Sequence, residues 1–144
     1  MDVRPKVYTY HTSVKWTEHR KGIGSAAGKP DLEVATPPEF KGHEGIWSPE
    51  DLFVASANVC LMTTFLAMAE RGGLGFTAYT GDAEGTLELV DGRFRFTKIV
   101  LRPRLTLKPG EDPAKAKQIL EKAEANCLIS NSMACAITLE PTIQ

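Results

Sequence analysis

The stretch SPEDLFVASANVCLMTTFLAMAERGG, from Ser48 to Gly73, predicts one long helix, because it carries the signals of a helix start and a helix end. Ser48 suits the N-cap position and Pro49 suits the first helical position. Asp51 stands three residues after the cap, where a side-chain acceptor can complete a capping box. Gly72 and Gly73 are typical of a helix end. The stretch therefore predicts a helix that begins at Pro49.

The apolar residues of this helix cover every side of it. From Leu52 to Ala69, fourteen of eighteen residues are apolar, and at 100° per residue they leave no polar face. A membrane span needs about 20 apolar residues, whereas this run is shorter and contains Asn58. We therefore expect a central helix that its own chain cannot fully cover. We expect a homodimer, in which a second subunit covers the other side of the helix. No membrane partner is expected.

Alternating residues before the helix predict two strands in the N-terminal part of the chain. VYTYHTSVKW, Val7 to Trp16, places its aromatic and β-branched residues on one face and predicts a strand. EHRKGIGSAAGKP, Glu18 to Pro30, is interpreted as a glycine-rich loop. DLEVATPP, Asp31 to Pro38, predicts a short strand that the two prolines terminate.

Thr77 to Leu107 predicts a β-hairpin or meander. Asp91-Gly92 is a strong hairpin-turn signal between two alternating segments. The apolar positions change from even to odd numbers near Thr97-Lys98, which predicts a β-bulge.

A second helix and a last strand complete the predicted elements. Asp112-Pro113 predicts the helix start, and Cys127 ends the helix's apolar stripe, which contains Ala116, Ile119, Leu120 and Ala123. ACAITLEPTI, Ala134 to Ile143, predicts the strand. The element order predicts an α+β fold with antiparallel sheets and two main helices, in a single domain covering residues 1–144.

Composition limits the partners and the cellular compartment. Lys+Arg total 17 and Asp+Glu total 18, so a net charge of −1 gives no reason to expect nucleic acid as a partner. The first residues form no apolar signal core, and three cysteines without a CxxC pair do not fit a secreted disulfide scaffold or a zinc knuckle. We expect a cytoplasmic protein with neither a bound metal nor a cofactor.

The candidate chemistry lies in two cysteines on different helices. Cys60 and Cys127 both point inward, so each is either core packing or one half of a redox pair, and sequence alone leaves this open. A buried nucleophilic cysteine needs a positive group nearby, for which Arg20 is a candidate. Glu50 could hold the guanidinium in place. Alternatively, Arg20 is a solvated loop charge and Glu50 a carboxylate that favours the helix dipole.

SPEDLFVASANVCLMTTFLAMAERGGL resembles the first cysteine motif of the OsmC/Ohr family of thiol peroxidases, with Glu50 ten residues before Cys60. EKAEANCLISNSM resembles the family's second cysteine motif and contains Cys127. The order of elements is similar along nearly the whole chain. Leu128 stands where the Ohr members usually carry proline, and no aromatic residue directly precedes Cys60. The chain is therefore more similar to the general OsmC-like branch.

The resemblance implies an intertwined homodimer and a peroxidase that reduces organic hydroperoxides. Cys60 would be the peroxidatic cysteine, Cys127 the resolving cysteine, and Arg20 the arginine paired with Glu50. An external dithiol would reopen the disulfide. The alternative is a non-enzymatic dimeric module that binds a small apolar ligand, in which the cysteines are structural or redox-sensing.

Overall fold

A computed structural model describes residues 5–144 as two compact units, residues 5–52 and residues 53–144. The first unit contains an antiparallel sheet of strands β1 (Ser13–Glu18), β2 (Lys21–Ser25) and β3 (Leu32–Ala35), in the order β1-β2-β3. It also contains a single 3-10 turn, Pro38–Phe40, and the start of the long helix.

Two expectations for this sheet are wrong. The first strand begins at Ser13 instead of Val7, because its only partner in residues 5–52, β2, ends opposite it at Ser25. The segment interpreted as a glycine-rich loop contains β2 itself. A Cβ atom on Gly22 would lie 2.6 Å from the carbonyl oxygen of Lys15, so this glycine permits close approach of neighbouring strands instead of marking a loop.

Helix α1 (Pro49–Gly72) begins and ends as predicted. The Ser48 hydroxyl accepts a hydrogen bond from the Asp51 amide at 3.1 Å, and the Asp51 carboxylate accepts one from the Ser48 amide at 2.9 Å. At the other end Gly73 has a φ of +66°, and the Leu74 amide donates to the Ala69 carbonyl at 2.9 Å. This Schellman-type arrangement satisfies a carbonyl at the helix end.

One stripe of α1 is left uncovered. Leu52, Val59 and Leu66 recur every seven residues and expose 38%, 54% and 38% of their surface. The opposite side supplies buried residues, namely Ala57, Cys60, Leu61, Phe65 and Ala69. Within residues 5–144 the chain does not fully cover this helix, as predicted. By length and composition α1 could also cross a membrane, a test that core helices of soluble proteins pass as well.

The second unit is built on a long antiparallel hairpin. Strands β4 (Phe76–Val90) and β5 (Arg93–Leu107) are joined by Asp91 and Gly92, whose φ values of +51° and +80° suit a type I′ turn. Thr86 pairs with Lys98 and Leu87 with Phe96, so Thr97 is the extra residue of a bulge. The predicted turn and bulge are both confirmed.

The last strand differs from its prediction. It divides into β6 (Ala136–Leu139) and β7 (Thr142–Ile143), and both pair with β5 in parallel instead of antiparallel orientation. Helix α2 (Pro113–Ala125) connects β5 to β6. A connection of this length is needed for the chain to return to the starting end of the sheet and pair in parallel. Residues 5–144 therefore form an α+β fold with two α-helices, one antiparallel sheet and one mixed sheet.

Helix α2 starts as predicted, because the Asp112 carboxylate accepts the Ala114 amide at 2.9 Å. It ends at Ala125, two residues before Cys127, so this cysteine belongs to the following turn and not to the helical stripe. The core of the second unit joins α1, β5 and α2. Its largest members include Phe65, Leu61, Ile99, Leu101, Leu105 and Leu120.

Candidate active site

The thiol of Cys60 lies at the centre of a small cradle of hydrogen-bond donors. Cys60 is 8% exposed, and its sulfur is 3.8 Å from the hydroxyl oxygen of Thr64, one helical turn further along α1. The Cys127 thiol and the backbone amides of Leu128 and Ile129 also donate to it. Donors therefore reach this sulfur both from its own helix and from the turn after α2.

These donors decide the charge state of Cys60. Burial is the largest single influence and raises the pKa of the thiol, since it disfavours the charged form. The hydrogen bonds from Cys127, the Ile129 amide, Thr64 and the Leu128 amide together outweigh it, so the pKa of Cys60 falls below its ordinary value. Among residues 5–144, the groups that favour the thiolate, which is the nucleophilic form of cysteine, are a thiol, a hydroxyl and two backbone amides.

The partner thiol is shifted in the opposite direction. Burial and the neighbouring Cys60 raise the pKa of Cys127, and the hydroxyl and amide of Ser130 only partly oppose this rise. Cys127 therefore keeps its proton and donates it toward Cys60. Both cysteines are free thiols in this structure. The arrangement supplies one sulfur prepared for attack and a second sulfur, still protonated, within reach of the first.

A compact turn places Cys127 and the two amides. The Cys127 amide donates to the Glu124 carbonyl at 3.2 Å, and the Asn131 amide donates to the Cys127 carbonyl at 3.0 Å. The Ser132 hydroxyl donates to the Leu128 carbonyl at 2.8 Å. Because these bonds hold the backbone from both sides, the Leu128 and Ile129 amides stay directed at Cys60.

Arg20 and Glu50 lie in the first unit. Arg20 occupies the turn between β1 and β2, is exposed, and donates from Nη1 to the Phe40 carbonyl at 2.8 Å. Glu50 lies in the first turn of α1, where its Oε1 atom is shielded from solvent and has no hydrogen-bond partner. No ion pair joins the two side chains within residues 5–144. Their predicted pairing stays a prediction.

Several contributors to the site were not identified from the sequence. Thr64 has a simple signal, because a hydroxyl four residues after a helical cysteine lies on the same face. No sequence signal identifies the backbone amides of Leu128 and Ile129 as donors, since every residue but proline carries a backbone N–H. Cys135 was expected to be packing, and it lies half-buried against the core.

Comparison with known proteins relates this site to a family. Residues 42–142 match the family model described as OsmC-like protein, a range that contains Glu50 and both cysteines of the pair. The chain is 32% identical to peroxiredoxin OsmC of Escherichia coli over 101 residues, which are 70% of this chain and 69% of that protein. It is 27% identical to the uncharacterized protein YmaD of Bacillus subtilis over 135 residues, 91% of this chain and 90% of that protein.

Solved structures agree on the fold. An OsmC-like protein of unknown function from Vibrio cholerae superimposes with a TM-score of 0.86 at 24% identity, covering 94% of this chain and 99% of that one. The family model and the E. coli relative confirm the resemblance to the OsmC/Ohr family. The chain belongs to the OsmC/Ohr family, whose named members include peroxiredoxins.

Proposed function

We propose that this protein is a thiol-dependent peroxidase that reduces organic hydroperoxides. Cys60 is the nucleophile, and a Cys60–Cys127 disulfide is the oxidised product. The observation that carries the proposal is the cradle around Cys60, in which a second thiol and two backbone amides lower the pKa of a buried cysteine. The similarity to a peroxiredoxin supports the same chemistry.

The reaction has three steps. The Cys60 thiolate attacks one oxygen of the peroxide, the O–O bond breaks, and the second oxygen takes a proton and leaves as an alcohol. Cys60 is now a sulfenic acid. The Cys127 sulfur attacks the Cys60 sulfur, the S–O bond breaks, and water is released as the disulfide forms. An external dithiol then supplies two electrons by thiol–disulfide exchange and restores both thiols.

The surroundings of Cys60 favour an alkyl group on the peroxide. Leu61 and Phe65, its apolar helix neighbours, are fully buried in the core and are not free to contact a substrate. Phe53 and Met62 on the same helix remain partly exposed. An organic hydroperoxide could bury its carbon chain against such side chains, whereas hydrogen peroxide could not.

A homodimer is part of the proposal. Each unit separately leaves apolar surface uncovered. The first unit has a groove of about 400 Å³ whose lining includes Val14, Leu32, Val34 and Leu52, and the second exposes Val59 and Leu66 on α1. A second copy of the chain, presenting the same surfaces, is the occupant we propose. Its arrival would also cover Glu50, whose unpaired carboxylate oxygen is suited to receive the guanidinium of Arg20.

The cytoplasm is the compartment we propose, since the catalytic cycle needs a supply of reducing dithiol.

Arg20, paired with Glu50, would add positive charge beside Cys60 during attack.

Three serine variants test the function. Purified protein is assayed for turnover of cumene hydroperoxide with dithiothreitol. Cys60→Ser should lose nearly all activity, and Cys127→Ser should lose activity progressively as its unresolved sulfenic acid is overoxidised. Cys135→Ser, the matched control, should keep its activity. Full turnover by Cys60→Ser would contradict the proposal.

A further inference from the structure

A groove lies between α1 and the end of α2 in the second unit. Its volume is about 540 Å³, and its lining includes Thr64, Met68 and Arg71 from α1 together with Lys122 and Asn126. Lys122 belongs to the last turn of α2, and Asn126 is the residue that caps this helix. One chain therefore forms both walls of the groove, next to the turn that carries the second cysteine.

Thr64 connects this groove to the sulfur of Cys60. It lines the groove, and its hydroxyl oxygen is 3.8 Å from that sulfur. Cys60, Thr64, Ala67 and Arg71 follow one another at helical spacing, which places them along one face of α1. A molecule that lies in the groove therefore follows a row of side chains that begins at Cys60 and ends at Arg71.

The charged side chains of the groove are all cationic. Arg71 on α1 and Lys122 on α2 are both exposed, and among the described residues no acidic side chain lines the groove with them. Neither cation has an ion-pair partner within residues 5–144. Lys115, in contrast, donates to the Gly72 carbonyl at 2.7 Å and is already engaged. Arg71 and Lys122 are therefore available to bind an anion.

The stretch of groove between the thiol and the cations is apolar. Ala67 and Met68 lie between Thr64 and Arg71 on α1, and the flexible thioether of methionine adapts to ligands of different shape. Thr64 and Arg71 are two helical turns apart, about 10.5 Å along the axis of an α-helix. The groove therefore suits a molecule with a reactive end at Cys60, an apolar body and an anionic far end.

We propose that this groove holds the body of the hydroperoxide, and that Arg71 and Lys122 select hydroperoxides that carry a carboxylate. The inference rests on the proposed peroxidase function and names a class of substrate for it. The reaction at Cys60 is unchanged, since the O–O bond breaks as before and the leaving alcohol keeps its carboxylate. Arg71 and Lys122 contact only the carboxylate, so they determine specificity and take no part in bond breaking.

A matched pair of substrates tests the proposal. Cumene hydroperoxide with a para carboxylate is compared with its methyl ester, which has the same body without the charge. Initial rates with dithiothreitol give kcat and KM for each. In the wild type, kcat/KM should be about threefold to tenfold higher for the carboxylate, the range for one or two exposed charge contacts. Added sodium chloride should reduce this preference, because salt screens exposed charges.

Glutamine variants locate the preference in the groove. In Arg71→Gln and in Lys122→Gln, KM for the carboxylate should rise toward that of the ester while kcat stays constant, as expected when a contact outside the reacting atoms is lost. Rates with the ester should stay at the wild-type value, whereas a folding defect would lower the rates with both substrates. Arg95→Gln is the matched control, since Arg95 is exposed on β5 and does not line the groove. It should keep the full preference.

The outcomes distinguish this proposal from the peroxidase function. Equal kcat/KM values for the carboxylate and the ester in the wild type would overturn the role of the groove and leave the peroxidase intact. The same holds for a preference that survives in the double variant Arg71→Gln/Lys122→Gln. A wild-type protein that turns over neither substrate would overturn both proposals. Arg71→Glu gives an independent check, because it should make the carboxylate a poorer substrate than the ester.

Discussion

Burial raises the pKa of both the Cys60 and the Cys127 thiol, and the hydrogen bond from Cys127 to Cys60 lowers the first pKa and raises the second. The thiolate is therefore easier to form at Cys60 than at Cys127, although both sulfurs are buried. This difference comes from the direction of the donors, since the Leu128 and Ile129 amides also point at Cys60. A division of roles between attacking and resolving cysteine follows from the geometry.

The lowered pKa of Cys60 gives a prediction in two parts. Thiolate absorbance should show a step below pH 9 that Cys60→Ser removes, and Cys127→Ala should shift the step to higher pH because a donor is lost. A depressed folded-state pKa stabilises the protein at pH values above the unfolded-state pKa, and this contribution is lost as pH falls through the folded-state pKa. The advantage of wild type over Cys60→Ser in denaturant unfolding should therefore grow with rising pH. A step above pH 9 in the wild type would contradict the cradle.

Removal of the candidate cation should slow peroxide reduction. Arg20→Ala is expected to lower kcat/KM for cumene hydroperoxide by about 10-fold to 1,000-fold, the range for losing one donor that stabilises developing charge. Glu50→Gln should produce a smaller loss in the same direction, since it would release the guanidinium. Arg93→Ala, at an exposed position on β5, is the control. Equal kcat/KM values for Arg20→Ala and wild type would remove Arg20 from the mechanism.

The uncovered stripe of α1 predicts a dimer that one charge can disrupt. The wild type should sediment as a dimer at micromolar concentration, and Leu66→Glu should sediment as a monomer, since a carboxylate would be buried at the interface. Leu89→Glu is the control, because Leu89 exposes 63% of its surface on β4 beside the hairpin turn. A wild-type monomer, or equal dissociation in both variants, would argue against α1 as the interface.

Local signals explain what the sequence predicted correctly. The Ser48–Asp51 cap, the Asp112 cap and the Asp91-Gly92 turn each depend on residues within four positions of one another. The bulge at Thr97 was predicted because the apolar positions change from even to odd numbers near this residue. The spacing of Glu50 and Cys60 indicated the family in the same way.

The errors and omissions depend on long-range structure. The glycines of β2 resembled a loop because glycine carries no side chain that could show the alternation of a strand. The orientation of β6 was predicted wrongly because its partner, β5, lies before α2 in the chain. The donors to Cys60 from Leu128 and Ile129 are backbone amides, which cannot be predicted from the type of residue. The charge state of Cys60 could therefore be derived only from the three-dimensional arrangement.

The central claim is that Cys60 and Cys127 form a redox pair. Its most direct test is the free-thiol count, by mass, after one equivalent of cumene hydroperoxide is added to fully reduced protein. The account predicts loss of two of the three thiols, with a Cys60–Cys127 disulfide in the peptide map. Three intact thiols would contradict it and would favour the non-enzymatic module that binds an apolar ligand.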